Sequence, residues 1–370
     1  MNSRRAFLLG GLFCAMSKAP AHAAATRALD VLGNPYNAET YRRLMASWGK
    51  PAGLSFSARE SDEIVRALLL RALTGARLPD VAFFNADVIR LFAERGLLVP
   101  LDRSVGTDAR TIRVRDVAYG VPIGVSAPIV AFNAALLWRL GVHDVPRDWP
   151  GILTLASRMR SSDVVGGFIE HDNGGAFTFQ YLLGSFGGRM MSEDERAIAF
   201  NCGAGLQSLE VLRGFGTCGQ AQADMSRRQA RRAFASGRIG VLVTMSSVLP
   251  NLRKTLAVVH VPMPLMVPHA QVPVAGPIAV MLDKERSEAA ADFMRFATSP
   301  AGQAIVQQTS GYLPLSAAPE RATAWYSFPG RNSLKIAELI QDEMQQVATL
   351  QKTPERALSS MATAVAALLA

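Results

Sequence analysis

Short apolar runs along the chain alternate with segments whose apolar residues recur every three or four positions. Residues 29–32 form the first run, and Gly33-Asn34-Pro35-Tyr36 turns out of it. Asn37 then stands where an N-cap is wanted, ahead of Tyr41, Leu44, Met45 and Trp48 at i, i+3, i+4 and i+7, and Gly49 closes the segment. The same rhythm continues: a strand at 54–58, a helix at 62–73 stopped by Gly75, and a strand at 81–84 ending in Asn85-Ala86-Asp87. A helix at 87–95 follows, stopped by Gly96, and then an extended run at 97–101. Strand and helix in alternation predict an open α/β sheet. Ligands bind such sheets at the carboxyl ends of strands, where Asn34, Tyr36, Asn85 and Asp87 all fall.

The stretch 117–133, VAYGVPIGVSAPIVAFN, breaks the rhythm. Pro122 biases Val121 toward extended geometry, Gly120 and Gly124 loosen the backbone, and a second apolar run begins at Ile129. It reads either as a crossing between two halves of the molecule or as a surface hairpin. Beyond it, helices are expected at 134–140, from Asp148-Trp149-Pro150 to Met159, and at 204–215. A strand at 168–170 leads into the polar loop His171-Asp172-Asn173-Gly174-Gly175, and a buried strand at 239–243 opens into Thr244-Met245-Ser246-Ser247, with a helix at 249–256. From Val272 come a strand at 278–282, a helix with Ala289, Phe293 and Phe296 on one face, and another that Ser299-Pro300 caps. Ser310-Gly311-Tyr312-Leu313-Pro314 looks like a further crossing. Two amphipathic helices close the chain, the last led by Thr353-Pro354.

The N-terminus changes the picture. Ser3, Arg4, Arg5, Phe7 and Leu8, an apolar segment to Met16 and the small-x-small Ala21-His22-Ala23 predict a signal peptide over 1–23, of the twin-arginine type. Its apolar segment falls short of the about 20 residues that span a bilayer. Removing it takes away Arg4, Arg5 and Lys18 and no acid, so the formal charge falls from +9 to about +6. A basic exported chain suits anionic solutes or surfaces. Nucleic acid is not expected, since no Lys/Arg cluster is interleaved with aromatics. Arg227-Arg228 and Arg231-Arg232 are the densest pairs and read as a solvated helix face. Cys202 and Cys218 flank an expected helix about 18 Å long, too far apart for a disulfide, so two free, buried thiols are expected.

Enzyme motifs are missing: the chain contains no GxxxxGK[ST], GxSxG, HExxH or CxxC, and no two histidines have metal-ligand spacing on one helix. Neither metal nor cofactor is expected, and the chain reads as a binder rather than an enzyme. Ser246 and Ser247, between a buried strand and a helix start, suit an anion held by free N–H groups and hydroxyls; a plain helix cap fits equally. Gly276 allows close backbone approach, or simply a turn. Phe177 and Phe179 fit either the apolar wall of a pocket or the core. Arg331, in Pro329-Gly330-Arg331-Asn332, reads as a surface arginine that can fork onto phosphate or carboxylate.

Several motifs recur in a known order: Leu78-Pro79-Asp80-Val81, Gly96-Leu97-Leu98-Val99-Pro100-Leu101, Tyr119-Gly120-Val121-Pro122, Phe132-Asn133, Phe234-Ala235-Ser236-Gly237, Ser299-Pro300 and Ser310-Gly311-Tyr312-Leu313-Pro314. Together they resemble the periplasmic solute-binding proteins of ABC importers, the family 1 extracellular solute-binding proteins. Ser126-Ala127-Pro128, Thr244-Met245-Ser246-Ser247, Ala275-Gly276 and Lys352-Thr353-Pro354 bring the likeness nearest to the glycerol-3-phosphate-binding type. The resemblance implies an α/β, two-lobe periplasmic binding protein-like fold (type II), with hinged, discontinuous lobes around a cleft. Lobe 1 would comprise 24–123 plus 272–314 and lobe 2 would comprise 124–271 plus 315–370, joined near Ile123, Gln271 and Pro314. Ser126, Ser247, Gly276, Tyr312 and Arg331 would surround a phosphate, with Tyr36, Asp87, Phe177 and Ser246 completing the ligand site. The expected role is capture of a phosphorylated polyol or glycerophosphodiester in the periplasm by a monomer that delivers it to inner-membrane ABC permease subunits. An unphosphorylated sugar is the alternative, and a periplasmic hydrolase or a sensor accessory is the rival from another class.

Overall fold

The computed structural model describes residues 28–34, 37–56, 61–105, 111–171, 176–223 and 225–369. The expected signal peptide, Tyr36 and most of the 171–175 loop lie outside them.

The first half alternates as its periodicity demands: β1 (Leu29–Gly33), α1 (Ala38–Trp48), β2 (Ala52–Phe56), α2 (Ser61–Leu73), β3 (Val81–Phe84) and α3 (Ala86–Glu94). β4 (Ile112–Val114) and β5 (Val117–Pro122) follow as an antiparallel pair. The second half begins with β6 (Pro128–Asn133), α4 (Ala134–Arg139), α5 (Trp149–Met159), β7 (Val165–Ile169), α6 (Phe177–Ser185) and α7 (Gly203–Thr217). It continues with α8 (Arg227–Ala235), β8 (Ile239–Met245), α9 (Leu249–Leu252) and β9 (Val258–Pro262). Then come β10 (Val272–Val274), β11 (Ile278–Met281), α10 (Ser287–Thr298), α11 (Pro300–Thr309), β12 (Ala322–Ala324), α12 (Ser333–Ala348) and α13 (Pro354–Leu369).

Two larger sheets result. One runs β2-β1-β3-β11-β5-β4, and the other β7-β8-β6-β9. In the first, β1 pairs parallel with β2 and β3, while β11 enters antiparallel between β3 and β5. A strand from late in the chain therefore completes the sheet that the first residues began, making that lobe discontinuous. In the second sheet β7 and β8 are parallel and β6 is antiparallel to β8 and β9. Both sheets are covered by helices, so β3, β6, β8 and β11 are buried along their full length and read as near-continuous apolar runs. α1 and α10 pack against the first sheet around Tyr41, Phe83 and Phe293. α12 and α13 return to α7 on the second lobe. Side-chain caps act where the sequence places them: Asp148 accepts from Gly151 N–H and Ser299 from Gly302 N–H, each just ahead of a first-turn proline.

Some expectations need correction. The extended run at 97–101 is no full strand; it contributes the single bridge Val99–Met281. The helix expected at 249–256 is a 3₁₀ turn, Ser246–Val248, followed by the four-residue α9. Both thiols are free, but only Cys218 is buried; Cys202 is exposed at the start of α7.

Three chain segments pass between the sheets side by side. Val125 N–H donates to the Leu313 carbonyl (2.9 Å) and Leu313 N–H returns to Val125 (2.8 Å). On the other edge, Ser126 N–H donates to Ala275 (2.7 Å) and Ala275 N–H to Ser126 (2.9 Å). Segment 123–126 is thus the middle strand of a three-segment crossing. Glycine makes the approach possible. A Cβ on Gly276 would lie 2.1 Å from the Gly124 carbonyl oxygen, and one on Gly311 only 1.9 Å from that of Ser247.

A second contact joins the lobes away from these strands. Arg90 of α3 donates from Nη1 and Nη2 to both oxygens of Glu195 at 2.6 Å and from Nε to Glu94 at 2.9 Å. The Tyr326 hydroxyl also donates to Glu195 (3.0 Å), and Ser327 Oγ donates to the Asp87 carbonyl (2.7 Å). The bond from Arg90 holds the Glu195 carboxyl below its ordinary range, against the opposing pull of burial.

Gly311→Ala should destabilise the fold by about 1–3 kcal/mol, the usual cost of overpacking. Gly203→Ala, with no atom within 4 Å of its Cβ, is the control and should be neutral or slightly stabilising. Urea unfolding reads both, and equal midpoints for the two variants would refute the close-approach account. Glu195→Gln should lower stability at neutral pH. Because the folded pKa of Glu195 is depressed, its contribution is present above the ordinary glutamate value of about 4.5 and disappears as pH falls through the folded value. A wild-type-minus-variant difference that persists into strong acid would contradict this assignment.

Candidate functional site

Polar groups from both lobes converge where the three segments cross. Ser126, 1 % exposed, accepts the Ser247 N–H on its hydroxyl oxygen at 3.0 Å. Ser246 exchanges backbone and side chain with Ala127: its N–H donates to the Ala127 carbonyl (2.8 Å), and its hydroxyl oxygen accepts the Ala127 N–H (3.1 Å). The Ser246–Ser247 pair is therefore stitched to the crossing segment, a role beyond the helix cap that the sequence allows. Gly276 packs on Gly124, and Gly311 on Ser247.

Tyr312 belongs to the same group. Its Cβ lies 3.0 Å from the position a Gly124 Cβ would occupy. Burial pushes the Tyr312 phenol up, while the Asn37 side chain bonded to it and the guanidinium charges of Arg231 and Arg227 pull it back. Asn37 heads α1 without capping it; its side chain instead donates to the Tyr41 hydroxyl at 3.4 Å. The Tyr312 hydroxyl thus lies beside Asn37, at the start of α1.

α8 is set by a capping box: Ser226 takes the Gln229 N–H and the Gln229 side chain takes the Ser226 N–H. Arg227 and Arg231, one turn apart, share a face of it. Arg231 forks onto Glu170, with Nε and Nη2 each 2.7 Å from a carboxylate oxygen. Glu170 is 0 % exposed at the end of β7 and also accepts from Thr244 Oγ1 of β8 at 2.7 Å. Its carbonyl accepts from Thr178 Oγ1 (2.7 Å) and the Tyr181 hydroxyl (3.4 Å) of α6. One buried acid ties β7, β8, α6 and α8 together. Next to it, His171 meets Gln220, Gln345 and the Ile169 carbonyl.

The structure brings Ser126, Ser246, Ser247, Gly276 and Tyr312 together. Asp87 sits in the first turn of α3, beside a recess of about 20 Å³ lined also by Asn34, Asn85 and Phe84. Phe177 is not in this group: it is 1 % exposed, packed on Tyr181 and on Trp325 with ring centroids 4.5 Å apart. Its reading as core is the one its burial favours. Arg331 is exposed between Gly330, whose N–H donates to Glu94 (2.9 Å), and Asn332, whose side chain donates to the Leu368 carbonyl (2.8 Å). Neither contact involves the serine and tyrosine group. Tyr36 lies outside the described residues.

Sequence reasoning passed over Glu170, Asn37 and the inward face of α8. Arg227, Arg228 and Arg232 are exposed, as a solvated face requires, but Arg231 is half-buried on Glu170. The available signal was a lone acid closing an apolar strand, with a fork-shaped cation one turn inside a later helix. Among the described residues no group of three or more His, Cys, Asp or Glu is placed to hold a metal, and no helix is long and apolar enough to cross a membrane.

Two α/β lobes joined by three hydrogen-bonded segments, with serine hydroxyls and backbone amides meeting at the join, define a two-lobe binding fold. The chain matches the family model of bacterial extracellular solute-binding proteins over residues 54–304, and it belongs to that family. Among solved structures it is similar to an ABC transporter solute-binding protein from Thermotoga lettingae bound to alpha-D-tagatose, at 17 % identity, 93 % of this chain, 100 % of that one and TM-score 0.72. It is similar also to the GacH receptor of Streptomyces glaucescens, solved unliganded and with acarbose, at 18 % identity, 93 % and 98 % coverage and TM-score 0.75. UgpB from Mycobacterium tuberculosis in complex with glycerophosphocholine gives 18 % identity, 92 % and 98 % coverage and TM-score 0.74. At such identities the likeness is one of fold. No curated protein matches the chain.

Arg231→Ala should destabilise the protein by about 3–5 kcal/mol, because it leaves the Glu170 carboxylate buried without its fork. The pair replacement Glu170→Leu/Arg231→Met should recover most of that loss. Chemical denaturation of the three proteins measures it, and a double variant as unstable as the single one would show that the pair is not what the single variant breaks.

Proposed function

We propose that the chain is the periplasmic substrate-binding component of an ABC importer, and that it captures a phosphorylated polyol such as glycerol-3-phosphate or a glycerophosphodiester. The observation that carries the reading is the convergence of Ser126, Ser246, Ser247, Gly276 and Tyr312 on the segments that join the lobes. Hydroxyls and a main-chain turn favour the many acceptor oxygens of a phosphate, and guanidinium groups match its charge and geometry. Closure of the lobes about the three crossing segments would bury the ligand and present a liganded surface to the permease. Signal-directed export, by the twin-arginine route, delivers the protein to that compartment.

A second reading is an unphosphorylated sugar. It is favoured by the similar structures that contain tagatose and acarbose. The two readings separate in a thermal-unfolding panel on the protein lacking residues 1–23, with glycerol-3-phosphate, glycerophosphocholine, tagatose and maltose. A ligand at about 100 times its dissociation constant adds about 2.7 kcal/mol to stability. Shifts with the phosphorylated compounds alone are the expected result. Shifts with neutral sugars alone would overturn the phosphate reading and keep the binding role.

A further inference from the structure

We infer that the contact of Arg90 with Glu195, Tyr326 and Ser327 is a latch, set on the far side of the lobe join from the candidate site, that ligand capture must break. It sets affinity without touching the ligand. The inference rests on the reading of the chain as a two-lobe solute binder and holds for either class of ligand named above.

Glu195 stands apart within its own turn. It lies in the hairpin tip 192–197, closed by the Met191–Ile198 bridge and by the bond from Ser192 N–H to the Ala197 carbonyl (2.8 Å). Glu193, Asp194 and Arg196 of that tip are exposed, while Glu195 is half-buried against the first lobe. To reach it the Glu195 backbone takes φ 55°, in the left-handed region that disfavours any residue with a Cβ. Strain of that kind persists where surrounding contacts hold it, and it gathers at switch elements. The holding contact comes from the other lobe: Arg90, 9 % exposed on α3, forks onto both carboxylate oxygens at 2.6 Å. Forked, charge-assisted bonds are the strong ones. Arg90 Nη1 also donates to the Ser327 carbonyl (3.4 Å), Ser327 Oγ to the Asp87 carbonyl, and Gly330 N–H to Glu94. Segment 326–330 leads into α12, which packs on α7, so these bonds run between the lobes.

The latch and the candidate site flank the three-segment ribbon on opposite edges. Ser247, Gly311 and Tyr312 gather at the third crossing, on the Leu313 edge. Tyr326 and Ser327 follow β12, which pairs with β10 of the second crossing, on the Ala275 edge. Glu195 and Tyr326 also line a cavity of about 580 Å³ together with Gln271, Pro273 and Thr323 of that edge. Lobes that turn on a narrow ribbon draw together beyond one edge by parting beyond the other. Closure on a ligand beside Ser247 and Tyr312 therefore pulls the hairpin tip and segment 326–330 away from α3. An arrangement that is competent to bind but only fractionally populated lowers the apparent affinity by that fraction. The latch keeps that fraction small.

The test uses the protein lacking residues 1–23, spin-labelled on Cys202, exposed in the second lobe, and on Glu39→Cys, an exposed position of α1 in the first. Pulsed electron resonance reads the distance between the lobes. Isothermal titration of the unlabelled protein reads affinity for glycerol-3-phosphate, glycerophosphocholine, tagatose and maltose. Glu195→Gly is the main variant: it removes the carboxylate, relieves the left-handed strain and leaves Arg90 its bond to Glu94. It should bind whichever compounds the wild type binds at least about 3-fold more tightly, and its ligand-free distances should already include the ligand-bound one. Tyr326→Phe, which deletes one bond to Glu195, should move both readouts the same way by less. Glu193→Gly, on the same tip but paired outward with Arg189, should leave both unchanged; an equal effect there would mean a loosened hairpin and no latch. Unchanged or weaker binding by Glu195→Gly overturns the inference. If the wild type binds none of the four compounds, the ligand reading fails alone and the distances decide: identical ligand-free distributions in wild type and Glu195→Gly overturn the latch.

Discussion

Everything in this molecule hangs on three backbone segments lying side by side between two sheets. A chain that crosses from one lobe to another leaves N–H and C=O groups at the crossing, and buried groups of that kind must be paired. Here they are paired with each other: 123–126 takes Leu313 on one edge and Ala275 on the other. The connection is consequently a narrow ribbon with main-chain bonds on both edges, which can bend without losing its pairing. It also has to be thin. Gly124, Gly276 and Gly311 stand where a single methyl group would strike neighbouring backbone or Tyr312.

That thinness places the candidate site. Since the crossing carries so little side chain of its own, the groups beside it come from the elements that end there: Ser126 from the ribbon, Ser246 and Ser247 from the end of β8, and Tyr312 from the third crossing. Asn37, at the start of α1, stands beside Tyr312 from the first lobe. A ligand bound among them would touch both lobes next to the point about which they turn. Differential contact of that sort lets binding shift an open–closed equilibrium. The Arg90–Glu195 contact opposes free movement elsewhere, holding α3 of one lobe to a turn of the other.

The parts legible in the sequence are those governed by local rules. Period and punctuation located β1, α1, β3 and α3, and the Asp148-Trp149-Pro150 and Ser299-Pro300 starts became capped helices. The order of short motifs pointed to the family that the match over 54–304 establishes. The insertion of β11 between β3 and β5 has no local signature, because antiparallel pairing across almost 200 residues of intervening chain leaves no periodic trace. The extended run expected at 97–101 shrank to the single bridge of Val99 with Met281, a partner almost as distant in sequence.

The site was legible to the same limit. Ser126, Ser247, Gly276 and Tyr312 were singled out through motif order, and the fold brings them side by side. Arg231 was not, because reading its charge requires knowing that Glu170, 61 residues earlier, is buried beside it. In sequence, an arginine among arginines on an amphipathic helix reads as solvated surface, and three of the four are that in the structure: Arg227, Arg228 and Arg232 are exposed. Helical spacing cannot say which of the four turns inward; in the structure Arg231 does. That is settled by one carboxylate with no water to solvate it, which must be met by a fork-shaped cation wherever the fold can supply one. The buried acid therefore selects Arg231 as the arginine of α8 that turns inward.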